Sequence, residues 1–172
     1  MACFAVPFSK FNLTLEAAVG YFELGMAEDA LRELDAVPEE FREAEEVLEF
    51  RLVLYQHLGR WDDASRTCAR LCQGQGADVD RFIAWGCCLY EMARVDECRR
   101  ALLQAPVAAR DNGLWNFHLA CYEAILGSRE EARRLVHRAL ELDPSLRAMA
   151  ECNQNLSPLL ASGNDRDRRD PI

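Results

Sequence analysis

Residues 58–64 read LGRWDDA, and the same phrase returns as LGMAEDA at 24–30, MARVDEC at 92–98 and LGSREEA at 126–132. The four stretches begin at positions 24, 58, 92 and 126, a constant step of 34 residues. A fixed pitch of that length marks one supersecondary unit stacked on copies of itself, because a unit so short cannot bury its apolar face alone. Within the phrase, Gly25, Gly59 and Gly127, with Ala93 in the third copy, stop one helix and permit a tight turn into the next. Ala30, Ala64, Cys98 and Ala132 then stand where two helices must approach closely. The reading is an all-α chain built of helix pairs.

The flanking segments agree. In the last copy Leu114, Phe117, Leu119, Tyr122, Ile125 and Leu126 recur at helical spacing, as do Leu135, Val136, Leu140 and Leu142. No segment alternates with the period of two that a strand requires. Pro38 and Pro106, two pitches apart, are expected to end a second helix early or to open the following one. QGQGAD at 73–78 reads as a loop. Glu28, Asp62, Asp96 and Glu130 fall in the first turn of each second helix, where the helix dipole favours negative charge. Arg32, Arg66, Arg100 and Arg134 follow four residues later, so each pair is expected to form an exposed i,i+4 salt bridge rather than a phosphate-binding stripe.

On these residues the chain resembles the tetratricopeptide repeat family, in four copies at 11–44, 45–78, 79–112 and 113–146. The family's small residue at the eighth position is Ala18, Gly86 and Ala120, with Leu52 a departure. Its aromatic at the eleventh position is kept as Tyr21 and Tyr55 and lost as Leu89 and Glu123, and its closing proline is present as Pro144. The resemblance implies a right-handed α-solenoid of four helix-turn-helix repeats whose first helices line a concave groove. Carried over by position, that groove takes Asn12, Leu15, Val19, Phe22 and Glu23 from the first copy and Glu46, Glu49, Val53, Gln56 and His57 from the second. The third copy supplies Asp80, Ile83, Cys87, Tyr90 and Glu91, and the fourth Leu114, Phe117, Cys121, Ala124 and Ile125.

Most of these positions are apolar or thiol, their charged members are all acidic, and none is Lys or Arg. Phe22, Tyr90, Leu114, Phe117 and Ile125 are expected to stand exposed there, and an exposed apolar patch marks a binding surface. The basic clamp with which some members of the family hold acidic chaperone tails is replaced by Leu15, Val19, Glu49, Val53, Ile83 and Cys87. Such a groove prefers a segment with apolar anchors and basic flanks. A competing expectation is that the apolar residues 2–8 or the C-terminal helix fold into the groove and bury it.

Residues 1–10 are set apart as an N-terminal segment. Residues 147–162 are expected to form a helix that caps the open apolar face of the fourth pair, with Leu146, Met149, Ala150 and Asn153 at helical spacing. Residues 163–172, GNDRDRRDPI, lack an apolar face and read as a disordered, solubilising tail.

Composition bounds the function. Net charge is −9, which disfavours nucleic acid and anionic lipid, both of which need a basic footprint. No apolar run reaches the ~20 residues of a membrane span. MACFAVPFSK has no charged region ahead of its apolar stretch, so no signal peptide or lipid anchor is expected and the expected location is the cytoplasm. There the eight cysteines are expected as free, mostly buried thiols. His57, His118 and His137 form no nucleophile motif with Ser or Cys, and phosphate-loop and dinucleotide motifs are absent. Cys68 with Cys72, and His118 with Cys121, are spaced to share a helix face but lack the paired signature of a structural zinc site. No catalytic residue, metal or cofactor is expected. The expected function is a protein–protein interaction scaffold that binds a peptide segment or protein surface. The alternatives are a small tetratricopeptide chaperone, like those of bacterial secretion systems, holding an apolar client segment, and a homo-oligomer burying the face against its own copy.

Overall fold

The structure, a computed structural model, describes residues 5–74, 76 and 78–161. Among them every regular element is helical, and the chain divides into two compact units, Met1–Ala77 and Asp78–Ile172. The first unit holds two antiparallel pairs, α1 (Ala5–Glu23) with α2 (Ala27–Asp35) and α3 (Glu45–His57) with α4 (Trp61–Leu71). The second holds α5 (Val79–Glu91) with α6 (Val95–Leu102) and α7 (Gly113–Ile125) with α8 (Arg129–Leu142). Two short helices, α9 (Arg147–Cys152) and α10 (Ser157–Ala161), complete it.

The repeated phrase is a turn. In each pair the last three residues of the first helix are closed by the same two hydrogen bonds. Gly25 N–H donates to Phe22 O and Met26 N–H to Tyr21 O, and the equivalent bonds recur from Gly59 and Arg60, Ala93 and Arg94, and Gly127 and Ser128. This is a Schellman cap, which needs a left-handed residue at its centre. The glycines adopt φ of 76°, 67° and 88°, and Ala93 is forced to 56°. A Cβ in that region clashes with the following carbonyl, so the third turn carries strain the other three lack. Ala93→Gly is therefore expected to raise stability by ~0.5–1 kcal/mol, read as a shifted midpoint in urea with unchanged slope.

The small residues have the packing role their spacing implies. Ala30, Ala64, Cys98 and Ala132 are fully buried, each on its second helix. Gly86 on α5 is demanded by geometry, since a Cβ there would lie 2.5 Å from Leu102 Cδ1 and 3.1 Å from the Tyr122 hydroxyl. Pro38 and Pro106 each precede a 3-10 turn, Glu39–Phe41 and Val107–Asp111, that leads into the next pair. Asp78 and Asn112 cap α5 and α7, their side-chain oxygens accepting from Arg81 N–H at 3.1 Å and Trp115 N–H at 2.9 Å.

Ion pairing differs from the sequence expectation. Of the four i,i+4 pairs only Asp62–Arg66 forms, at 2.8 Å. Arg32 and Arg134 pair instead with Asp29 and Glu131, one residue nearer, while Arg100 donates to the Asp96 backbone carbonyl. An arginine's long stem reaches the i−3 acid as readily as the i−4 one, and the doublets present both. The buried exception is Glu123 on α7, whose carboxylate is closed off from solvent and accepts from the Arg99 guanidinium on α6. It occupies the position held by tyrosine in the first two copies.

The C-terminal segment corrects a second expectation. In place of one helix over 147–162, a 3-10 turn (Pro144–Leu146) and α9 are followed by a break before α10. At the break Asn153 Oδ1 accepts from the backbone N–H of Asn155 at 2.9 Å and of Leu156 at 3.2 Å, replacing helical bonds by a side-chain turn. Leu146, Ala150, Leu156 and Leu159 are buried in one core with Leu135, Val136 and Leu140 of α8, whereas Met149 is half exposed. Residues 5–10, read above as a separate segment, belong to α1. The tail at 163–172 lies outside the described residues.

Candidate interaction site

The first unit spreads its expected groove residues over α1 and α3. Asn12, Val19 and Glu23 are exposed on α1, where with Leu15, Glu16 and Gly20 they line a shallow depression. Phe22 is half-buried, its ring edge-on to Phe50 at 5.9 Å and to His57 at 5.3 Å. Glu46, Glu49, Val53 and His57 are exposed on α3 and Gln56 is half-buried.

The second unit gathers its residues. Cys87, Tyr90 and Glu91 of α5 face Phe117, Cys121 and Ile125 of α7 across a cleft of about 200 Å3. The remaining expected residues lie outside it: Asp80 is exposed, Leu114 and Ala124 are half-buried, and Ile83 is buried in the core. Of the five residues expected to stand exposed, Tyr90 and Ile125 do so, whereas Phe22 and Leu114 are half-buried and Phe117 is buried. Phe117 and Cys121 are 4% and 8% exposed, so they form the floor of the cleft rather than its surface. The C-terminal segment contributes at Cys121: the α9–α10 turn carries Asn153 and Asn155 to the cleft wall, and Asn153 Nδ2 sits 3.5 Å from Cys121 Sγ. Tyr90 and Ile125 remain the exposed apolar residues at the mouth.

Four lining residues escaped the sequence reading: His118, Tyr122, Asn153 and Asn155. His118 and Tyr122 each follow an expected groove residue by one position, so a helix face about one residue wider would have included them. The asparagines carried no readable signal, since their placement depends on where the terminal segment turns back.

The cleft is aromatic. Tyr90 and Tyr122 stand 6.1 Å apart between centroids, His118 and Tyr122 6.3 Å, and His118 meets Phe117 edge-on at 5.7 Å. Cys87 Sγ lies 4.0 Å from His118 Nδ1, a pairing that invites comparison with a thiol nucleophile and its base. The electrostatics oppose that chemistry. Burial pushes the Cys87 thiol up and the His118 imidazole down, so at neutral pH both are uncharged. Burial likewise raises Cys121 to about 12 and Tyr122 above its ordinary value. Among the described residues no three His, Cys, Asp or Glu side chains are placed to share a metal. The arrangement is suited to holding a side chain, with Glu91 the charged group that lines it.

At the level of sequence, no protein-family model and no curated protein matches the chain. Solved structures do resemble it. A double mutant of MamA RS-1 superposes with a TM-score of 0.73 at 17% identity, over 92% of this chain and 87% of that one. YrrB, described as a TPR protein with an unusual peptide-binding site, gives 0.66 at 18% identity over 90% and 78%. PcrH from Pseudomonas aeruginosa gives 0.51 at 21% identity over 69% and 87%. At these identities the likeness concerns the fold, and the fold is that of helix-pair repeats.

Proposed function

We propose that this chain, a tetratricopeptide-type repeat protein in its fold, is a protein–protein interaction scaffold that docks a segment of a partner protein on the first helices of its pairs. The observation that carries the reading is the α5–α7 cleft, a concave aromatic site with Tyr90 and Ile125 exposed at its mouth. An exposed tyrosine beside a recessed apolar floor is the arrangement of an interface anchor. The peptide-binding site of YrrB, a structure of similar fold, supports the same use of such a scaffold. Glu91 lines this cleft and neither Lys nor Arg does, so the partner carries apolar anchors with basic flanks. No catalytic role is proposed. Among the described residues no helix is long and apolar enough to cross a membrane. A cytoplasmic location is proposed from the sequence alone, whose apolar helical patterns account for most of the eight cysteines as small packing residues.

Selection of a displayed random-peptide library on the full chain tests this. Peptides with an aliphatic or aromatic anchor next to Arg or Lys are expected to emerge. Tyr90→Ala is expected to weaken them by ~1–2 kcal/mol while leaving the melting temperature unchanged, because Tyr90 is 47% exposed and leaves no cavity. Arg66→Ala on α4 serves as the control that changes neither. Selected peptides indifferent to both Tyr90 and Ile125 would place the interaction elsewhere.

A further inference from the structure

We infer that the α5–α7 cleft is a receptor for one basic side chain of the partner segment, its stem on Phe117 and Ile125 and its cation among the rings of Tyr90, Tyr122 and His118, facing Glu91. The inference rests on the proposal that this cleft is a docking face, and it specifies the chemistry of the group that enters.

Size restricts the occupant first. Pockets for drug-sized ligands and cofactors span ~300–1,000 Å3. At about 200 Å3 this cleft holds a single side chain. The walls then choose among side chains. Three rings line it: Tyr122 stands 6.1 Å from Tyr90 and 6.3 Å from His118 between centroids, both pairs tilted rather than stacked. The face of an aromatic ring is the negative end of its quadrupole and attracts a cation within about 6 Å. His118 is held neutral by burial, so it adds a ring without adding a competing positive charge. Neither Lys nor Arg lines the cleft, and Glu91 supplies one carboxylate at its edge. Unlike Glu97, which Arg94 holds with two hydrogen bonds, Glu91 has no arginine partner among the described residues. An aliphatic anchor would satisfy the floor and leave the ring faces and Glu91 unused. An arginine or lysine uses all three, its methylenes on the floor and its charge toward the rings and the carboxylate.

The test uses the full chain and four model peptides, acetyl-Gly-Leu-X-Leu-Gly-amide, with X as arginine, lysine, citrulline or norleucine. Titrations are followed by NMR of the Tyr and His ring signals and of the Ile125 methyls. The arginine and lysine peptides are expected to shift the Tyr90, Tyr122 and His118 signals and to bind about fivefold or more tighter than the citrulline and norleucine peptides. Glu91→Gln is expected to reduce that preference by about twofold to fivefold, and Tyr90→Ala to remove about tenfold of affinity for the cationic peptides. Norleucine binding as tightly as arginine would overturn the inference while leaving the cleft as a docking face for an apolar anchor. If no peptide moves any cleft signal, and library-selected peptides bind without moving them, both the inference and the choice of site fail.

Discussion

A chain ending at Pro144 is expected to lose cooperative unfolding and to aggregate on warming. The deletion removes Leu146, Leu156 and Leu159, which share one core with Leu135, Val136 and Leu140 of α8. Burying a leucine contributes ~1.5–3 kcal/mol, so three amount to at least ~4.5 kcal/mol before Ala150 is counted. That is comparable with the whole stability of a small domain, ~5–15 kcal/mol. The exposed face of α8 would then associate, as an uncapped repeat does. Circular dichroism melting with light scattering reads both effects. Leu156→Ala, at a residue with no solvent exposure, isolates the packing contribution and is expected to cost ~2–5 kcal/mol. Deleting only residues 163–172 is expected to change neither property. A Pro144-terminated chain that melts like the full protein would show that the segment is ornamental to the fold.

The second large effect is expected at the Arg99–Glu123 pair. Glu123 is buried on α7, and the α6 arginine that answers it is 44% exposed. Breaking a fully buried ion pair costs ~3–5 kcal/mol because one charge is left uncompensated. Water can still reach this side of the pair once Arg99 is gone, so Arg99→Ala is expected to cost less, ~2 kcal/mol. Glu123→Leu alone removes the buried charge and leaves Arg99 free to turn into solvent, at a smaller cost. Combining the two substitutions is expected to recover much of the Arg99→Ala loss, a coupling that a double-mutant cycle in urea measures directly. Strictly additive losses would mean that Glu123 is solvated by something other than Arg99. The pair also accounts for the missing aromatic at the eleventh position of the fourth copy: a carboxylate there is tolerated because α6 brings a guanidinium to it.

That position illustrates how far the sequence could be read. Glu123 stood out as a departure from the repeat pattern, but its partner, 24 residues away, belongs to the preceding pair and nothing local points to it. The break in the C-terminal segment has a local signal. Asn153 can cap its own following turn, and Pro158 lacks the N–H that a continuous helix would need there. The cleft falls between these cases. Cys87, Tyr90, Glu91 and Ile125 were placed by repeat position alone, while the burial of Phe117, Cys121 and Ile83 followed from neighbours that repeat position does not describe.

What the sequence determined by itself is the helix-pair architecture, because its signals are local. A glycine that accepts positive φ, a small residue at a close crossing and apolar side chains at helical spacing act within a few residues of where they are written. The Schellman turns at Gly25, Gly59, Ala93 and Gly127 are therefore readable directly from the phrase. Tertiary structure alone decided which side chains of the candidate site meet solvent and which become its floor. Burial is set by whatever packs above a residue, and for Cys121 that is Asn153, 32 residues further along the chain. His118 and Cys87 meet across 31 residues for the same reason: α5 and α7 are neighbours in space through an intervening helix that the pattern of neither one encodes.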